Sequence, residues 1–233
     1  MSLHTPTGRA EILAARLGFV PRDLGLYVVA LTHRSADGRN NERLEFLGDS
    51  VLNLLLSERL YREFPLATEG DLSRLRARLV SEEPLAAIAS ELKLGELLSL
   101  GSGELKTGGF RRQSILADAF EALCGALYLD AGLDVVRNAI SPLFESRILA
   151  LPEPSSLKDA KTRLQEHLQS EGHPLPVYAV KRTSGEPHAQ VFLVSCSVPH
   201  AGVEAEGEGP SRRRAEQLAA HSALQALGIA GQP

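Results

Sequence analysis

The sequence predicts a mainly α-helical chain that ends in a small α+β unit of order α-β-β-β-α. Three observations predict it. Apolar residues recur at helical spacing through nearly all of residues 1–150. The segment L-P-E-P-S-S, residues 151–156, sets two prolines and two serines between periodic stretches and reads as a short, stiff linker. Beyond it, over residues 157–228, the apolar period passes from helical to alternating and back. At 233 residues the chain exceeds a usual single domain, and 43% hydrophobic content suffices for packed cores.

In the first part, breaks are expected at Pro21, at Pro65 and in the glycine-rich stretch 101–109. The helix spanning N-E-R-L-E-F-L-G-D-S, residues 41–50, carries Leu44, Leu47, Val51, Leu54 and Leu55 at helical spacing. The helix containing S-I-L-A-D-A-F-E-A-L, residues 114–123, does so with Ile115, Ala119, Ala122, Leu123 and Ala126. Gly48 costs about 1 kcal/mol relative to alanine inside a helix, which signals close approach of backbone or ligand. The run Leu52 to Leu56 reads equally as a subunit contact or as a buried helix. Thr68 and Asp71 in T-E-G-D have the spacing of a capping box.

The second part opens with a helix from about Asp159 to Glu171, stopped by Gly172 and Pro174. Strands follow at 177–182, 191–198 and 203–209. The last alternates most strictly, with Glu204, Glu206 and Glu208 on its outer face. Ser211 caps a final helix through Leu227, apolar at Leu218, Ala219, Ser222, Ala223 and Ala226.

Two acidic pairs carry the chemistry. Glu45 and Asp49 are four apart and Asp118 and Glu121 three apart, so each pair shares one helix face. Acids at this spacing most often line a solvated face, but both stretches are too apolar for one. Clustered carboxylates raise one another's pKa unless a cation compensates. An all-oxygen donor set without His or Cys suits a hard ion such as Mg²⁺. A di-iron centre would need Glu-x-x-His pairs, and the residues three after Glu45 and Glu121 are Gly48 and Cys124.

The net charge of −4 is unevenly spread: residues 156–233 hold eight basic and eight acidic side chains, so the surplus of acids lies earlier. An acidic centre that handled nucleic acid would need a separate basic surface. Arg212, Arg213 and Arg214 supply one in the first turn of the last helix, where the macrodipole disfavours cations and an external phosphate would explain them. Cys124 and Cys196 lack CxxC partners and read as reduced core residues. His4, His167, His173, His200 and His221 are isolated in sequence, with no zinc spacing among them. There is no run of eighteen apolar residues, and M-S-L-H-T-P-T-G-R has no signal-peptide core, so the expected location is cytoplasmic, with no membrane partner.

N-E-R-L-E-F-L-G-D-S closely resembles the signature of bacterial ribonuclease III. H-R-S at 33–35, E-G-D-L-S-R at 69–74, G-E-L-K-T-G-G-F-R-R at 103–112 and the segment around Asp118 and Glu121 resemble the rest of its nuclease domain. The later unit resembles a double-stranded RNA-binding domain, best in G-P-S-R-R-R-A-E-Q-L-A-A at 209–220. The resemblance implies an all-helical endonuclease domain over 1–150, a linker at 151–156 and an RNA-binding domain over 157–228. It implies Mg²⁺-dependent hydrolysis of double-stranded RNA to 5′-phosphate and 3′-hydroxyl ends, with Mn²⁺ a candidate substitute ion and no small-molecule cofactor. The expected roles are processing of ribosomal, messenger and transfer RNA precursors.

One signature per chain implies a homodimer, since cutting both strands takes two sites. Glu45, Asp49, Asp118 and Glu121 are the expected metal ligands, with Asp49 and Glu121 catalytic and Asp49 acting through the metal or its bound water. Glu42 and Glu69 are secondary, near the active valley, and Glu69 also reads as a favourable helix-start charge. Thr162, Gln165, Glu166 and Gln169 on the first helix, His188 in the strand turn, and Ser211, Arg212 and Arg213 are the expected RNA contacts. His188 sits in G-E-P-H where G-P-x-H is commoner. His33 is expected to cap or pack. A duplex-binding protein with a silent nuclease half is the other reading, and the complete set of four acids counts against it.

Overall fold

The computed structural model describes residues 5–36, 38–152, 159–186 and 189–229, and divides the chain into two compact units at Pro152/Glu153. The segment 153–158, which covers most of the expected linker, and His188 lie outside the described residues.

The first unit holds eight of the described α-helices: α1 (Pro6–Leu17), α2 (Leu24–Ala30), α3 (Glu42–Glu63), α4 (Glu69–Leu79), α5 (Glu82–Glu91), α6 (Ser102–Lys106), α7 (Gln113–Ala131) and α8 (Leu133–Leu149). Thr5 caps α1 by accepting from the Gly8 amide, and Gly18 ends it at φ 70°, a left-handed position that glycine adopts without strain. Thr68 and Asp71 form the expected capping box of α4. Pro21 and Pro65 fall between helices as expected. The stretch 101–109 instead contains the single short helix α6, with Gly101 as its N-cap and Glu104, Leu105 and Lys106 as helix formers that outweigh Gly103.

The core is built around α7, whose side chains from Ile115 to Leu127 are buried on nearly every side. Its strongest partner is α3, and the two touch backbone to backbone. A Cβ on Gly48 would collide with the Glu121 carbonyl oxygen, and one on Gly125 with the Leu44 carbonyl oxygen. Of the two explanations for Gly48, helix packing is therefore the one observed. The apolar stripe of α3 differs from expectation at Leu54, which is 55% exposed, while Leu44, Val51, Leu52, Leu55, Leu56 and Leu60 are buried within the chain. The Gly48 contact turns that face inward and leaves Leu54 on the outside.

The far end of α7 is tied down as well. Asp130 accepts hydrogen bonds from the amides of Arg22 and Asp23 and from the Tyr27 hydroxyl, which fixes the start of α2.

The second unit packs α9 (Ala160–Ser170) and α10 (Arg212–Ala226) on one face of an antiparallel sheet of β1 (Val177–Ser184), β2 (Val191–Val198) and β3 (Val203–Gly209), in the order β1-β2-β3. β1 runs two residues past the expected Arg182, after an irregularity between Val180 and Arg182. Leu164, Leu168, Cys196, Val198, Ala219 and Ala223 form its core. Glu204, Glu206 and Glu208 are exposed as the alternation requires. Gly207 and Gly209 let β3 lie against the first turns of α10, where a Cβ at 207 would meet the Ala219 amide nitrogen. The buried face of α10 is Ala215, Ala219, Ala220, Ala223 and Leu224. Ala226, expected on it, is exposed, because the helix rotates Leu224 inward instead. Both cysteines are buried free thiols.

Gly48→Ala is expected to lower stability although alanine is the better helix former, by about 1–3 kcal/mol as in other overpacked cores. Denaturant unfolding measures it, and the same substitution at the exposed Gly103, which has open space around it, should not destabilise.

Candidate functional site

Glu45 lies one turn before Gly48 on α3, and the backbone carbonyl against which Gly48 packs is that of Glu121 on α7. The glycine contact therefore draws the two carboxylates to one spot, and Asp118, one turn earlier on α7, completes it. One carboxylate oxygen from each of Glu45, Asp118 and Glu121 lies within 4.8 Å of the others. All three are half-buried.

Asp49 lies outside this triad. It is exposed and its Oδ1 accepts from Asn53 Nδ2 at 2.7 Å, yet its charge bears on Glu121. Glu42 is exposed at the start of α3, bonded to Asn40 and 3.7 Å from Arg34. Glu69 is exposed at the start of α4 and accepts from Ser73 Oγ at 2.8 Å.

The triad carries strained charge. Burial pushes Glu121 up to about 8, helped by Asp49, Glu45 and Asp118. Burial also raises Glu45, with Asp118 and Glu42 adding to it and Arg34 opposing. Burial raises Asp118, and His33 and Arg34 partly offset it. Three oxygen donors that resist ionisation together, without sulfur or nitrogen among them, fit a hard divalent ion.

Beside the triad opens a cavity of about 380 Å³ whose lining includes His33, Arg34, Asn41, Glu104, Arg112 and Asp118. The His33 loop is held there by a parallel bridge between Thr32 and Ser99, with the His33 amide on the Ser99 carbonyl at 3.0 Å. His33 Nδ1 accepts from the Ser35 amide at 3.2 Å and pairs with Ser35 Oγ at 2.8 Å, so His33 both packs, at 8% exposure, and orders its loop. Asn41 is buried with an Nδ2 that has no hydrogen-bond partner among the described residues. Asn41, Glu104 and Arg112 were not singled out by sequence reasoning. Their signal was their place inside the segments N-E-R and G-E-L-K-T-G-G-F-R-R.

In the second unit, Thr162, Gln165, Glu166 and Gln169 share the side of α9 away from the buried Leu164 and Leu168. Ser211 caps α10 by accepting from the Arg214 amide at 3.2 Å, and Arg212, Arg213 and Arg214 are exposed. Glu216 joins the two helices: its carboxylate meets Lys161 Nζ at 2.7 Å and Arg212 Nε at 2.9 Å. Those contacts, with Lys161 foremost, hold Glu216 below the usual carboxylate range. Lys161 in turn lies 4.6 Å over the Tyr178 ring.

Two family models match the chain, "Ribonuclease-III-like" over residues 23–147 and "Double-stranded RNA binding motif" over residues 160–227. They define its class as a ribonuclease-III-like unit joined to a double-stranded RNA binding motif. A protein named Ribonuclease 3 from Pseudomonas fluorescens (strain SBW25) is 55% identical over 93% of this chain and 95% of its own length. Another of that name from Methylococcus capsulatus (strain ATCC 33009 / NCIMB 11132 / Bath) is 58% identical over 93% and 94%. A crystal structure of the nuclease domain of ribonuclease III from Campylobacter jejuni superposes with a TM-score of 0.57 at 42% identity, covering 61% of this chain and 97% of that one. The chain belongs to the ribonuclease III family.

Because Glu121 is raised in the folded protein from an ordinary 4.5 to about 8, the native state holds that proton more tightly than the unfolded chain does. Its contribution to stability is full below about pH 4.5 and is lost as pH rises through about 8. The melting midpoint of the metal-free protein should fall across that window. Added Mg²⁺ should raise the midpoint more at pH 8 than at pH 5, with proton release visible by calorimetry in two buffers.

Proposed function

We propose that this chain is an endoribonuclease that hydrolyses phosphodiester bonds of double-stranded RNA, leaving 5′-phosphate and 3′-hydroxyl ends, in processing of ribosomal RNA precursors and other structured transcripts. The observation that carries the reading is the convergence of Glu45, Asp118 and Glu121 from two helices locked at Gly48 and Gly125. Glu45, Asp118 and Glu121 would hold Mg²⁺ directly, and Asp49, beside them, would act through a bound water. When bound, the ion supplies charge neutralisation on the phosphate and an activated water.

The chain's own residues do the rest. The three carboxylates would fix where the ion is held, and through it the place of the scissile phosphate. Arg34 and Arg112, lining the same cavity, offer cations to flanking phosphates. Glu42 shapes that approach, and Glu69 marks the start of α4 as a second acidic edge.

The second unit supplies duplex binding. The arginines at the start of α10 present guanidinium groups beside a helix N-terminus, a pairing suited to phosphate oxygens. Thr162, Gln165, Glu166 and Gln169 offer polar groups to 2′-hydroxyls in a shallow minor groove. A homodimer is supported by the apolar surface next to the site. Phe46 is 79% exposed one residue after Glu45, and with Val29, Leu47 and Leu129 it lines an open groove. No described helix is long and apolar enough to cross a membrane.

Glu121→Gln should abolish Mg²⁺-dependent cleavage of a long RNA duplex while binding in a gel-shift assay stays within about twofold. Normal cutting by that variant would overturn the site. Replacing Arg212 and Arg213 together by alanine should weaken binding uniformly across duplex sequences and reduce the slope of log affinity against log salt by roughly one to two.

A further inference from the structure

His33 presents a hydrogen-bond donor that neither the fold nor the carboxylate triad uses. A main-chain amide can only donate, so the Ser35 amide, 3.2 Å from His33 Nδ1, requires that nitrogen to carry no proton. Ser35 Oγ lies 2.8 Å from the same Nδ1 and accepts from the Gly101 amide at 3.0 Å. An oxygen lone pair facing the nitrogen lone pair at that distance would repel it, so the hydroxyl turns its hydrogen to the ring. With Nδ1 twice an acceptor, the neutral ring carries its proton on Nε2. Nε2 itself has no hydrogen-bond partner among the described residues.

The backbone under the ring is held firmly. The His33 amide donates to the Ser99 carbonyl at 3.0 Å, and the Ser99 amide to the Leu31 carbonyl at 2.8 Å. A Cβ on Gly101 would strike the Ser35 carbonyl oxygen, so the two segments lie backbone to backbone. From α1, Arg9 fastens the same segment, donating to the Leu98 carbonyl at 3.2 Å and to Ser99 Oγ at 2.7 Å.

His33 lines the cavity beside the triad together with Arg34 and Arg112. Both cations are partly engaged, Arg34 at 3.7 Å from Glu42 and Arg112 at 3.0 Å from Glu104. The Nε2–H has no such competitor. A buried ring that keeps a fixed, uncommitted donor at a cavity calls for an acceptor that arrives from outside. An N–H donor and two guanidinium groups in one cavity suit a phosphodiester, whose non-bridging oxygens accept and never donate. The neutral ring adds a contact without adding a positive charge that would compete with a metal ion for the carboxylates.

We propose that His33 is a substrate-contacting residue whose Nε2–H donates to a phosphate oxygen of the RNA strand lying in this cavity, next to the bond that is cut. The inference rests on the endoribonuclease reading of the same site. A donor whose tautomer and position are set before the substrate arrives needs no reorganisation when it binds.

Nitrogen NMR of the full chain should show Nε2 protonated and Nδ1 bare in the neutral His33 ring, and the opposite tautomer overturns the proposal. A short RNA duplex added to the Glu121→Gln chain should shift the His33 Nε2–H resonance. An unmoved resonance overturns the contact whether or not the chain cuts RNA. Replacing the phosphate beside the scissile bond by a methylphosphonate should remove that shift, and 2′-deoxy substitution at the same place should leave it; the reverse result assigns the contact to the ribose and overturns the phosphate assignment. In single-turnover cleavage His33→Leu should slow the cut roughly tenfold to a hundredfold, as expected for a lost hydrogen bond to a charged acceptor, with duplex affinity within about twofold. His33→Gln, which keeps an N–H near the place of Nε2, should recover most of the rate. An active unaltered chain with an equally fast His33→Leu variant overturns this contact alone, whereas an unaltered chain that leaves duplex RNA uncut in Mg²⁺ overturns the nuclease reading.

Discussion

The crossing of α3 and α7 at Gly48 and Gly125 is the constraint on which the nuclease unit rests. Two helices whose backbones touch cannot slide or rotate against each other without a steric clash, so the positions one turn away are fixed. Glu45 and Asp118 flank that contact, and Glu121 lies within it. The same crossing turns Leu52, Leu55 and Leu56 into the core and leaves Phe46 and Leu54 outside. Site and exposed apolar face are thus two results of one packing decision.

That packing stores electrostatic cost where an ion can relieve it. Three half-buried carboxylates face one another, while Arg34 and the His33 ring beside them only partly offset the cost. A side-chain cation placed in their midst would stabilise the empty protein and would compete with the metal. The sequence keeps such groups at the rim, with Arg112 held by Glu104 at 3.0 Å. The second unit handles charge differently, spending Glu216 on Lys161 and Arg212 and leaving Arg213 facing solvent.

Much of this was legible in the residues. Helical and alternating periods report which face is apolar, and they placed the strands and the capped helices to within a residue or two. The carboxylate pairs stood out because acids inside apolar helices need a reason. Exclusion of Asp49 from the triad was not legible, because a spacing of four puts it on the right face without telling which way Asn53 draws it. Nor was Gly125 singled out as the partner of Gly48, since one glycine in an alanine-rich helix looks like any small residue. The stacking of His200 on His173 was not legible either, because it comes from where the β2–β3 turn folds back and leaves no trace in spacing along the chain. Ala226 and Leu54 show the related limit, that a periodic stripe fixes a face only to within about half a turn.

The bridge from Lys161 through Glu216 to Arg212 has a consequence for how RNA is met. A free arginine surrenders rotamer entropy when it grips a phosphate, up to about 2 kcal/mol for a fully immobilised side chain. Arg212 has surrendered part of that already, because its Nε is bonded to Glu216 while most of the side chain stays exposed. Since Glu216 is simultaneously fastened to α9, the proposed minor-groove face and the proposed phosphate clamp would arrive as one rigid gauge. Such a gauge would measure the spacing of grooves on a duplex and be indifferent to the bases within them.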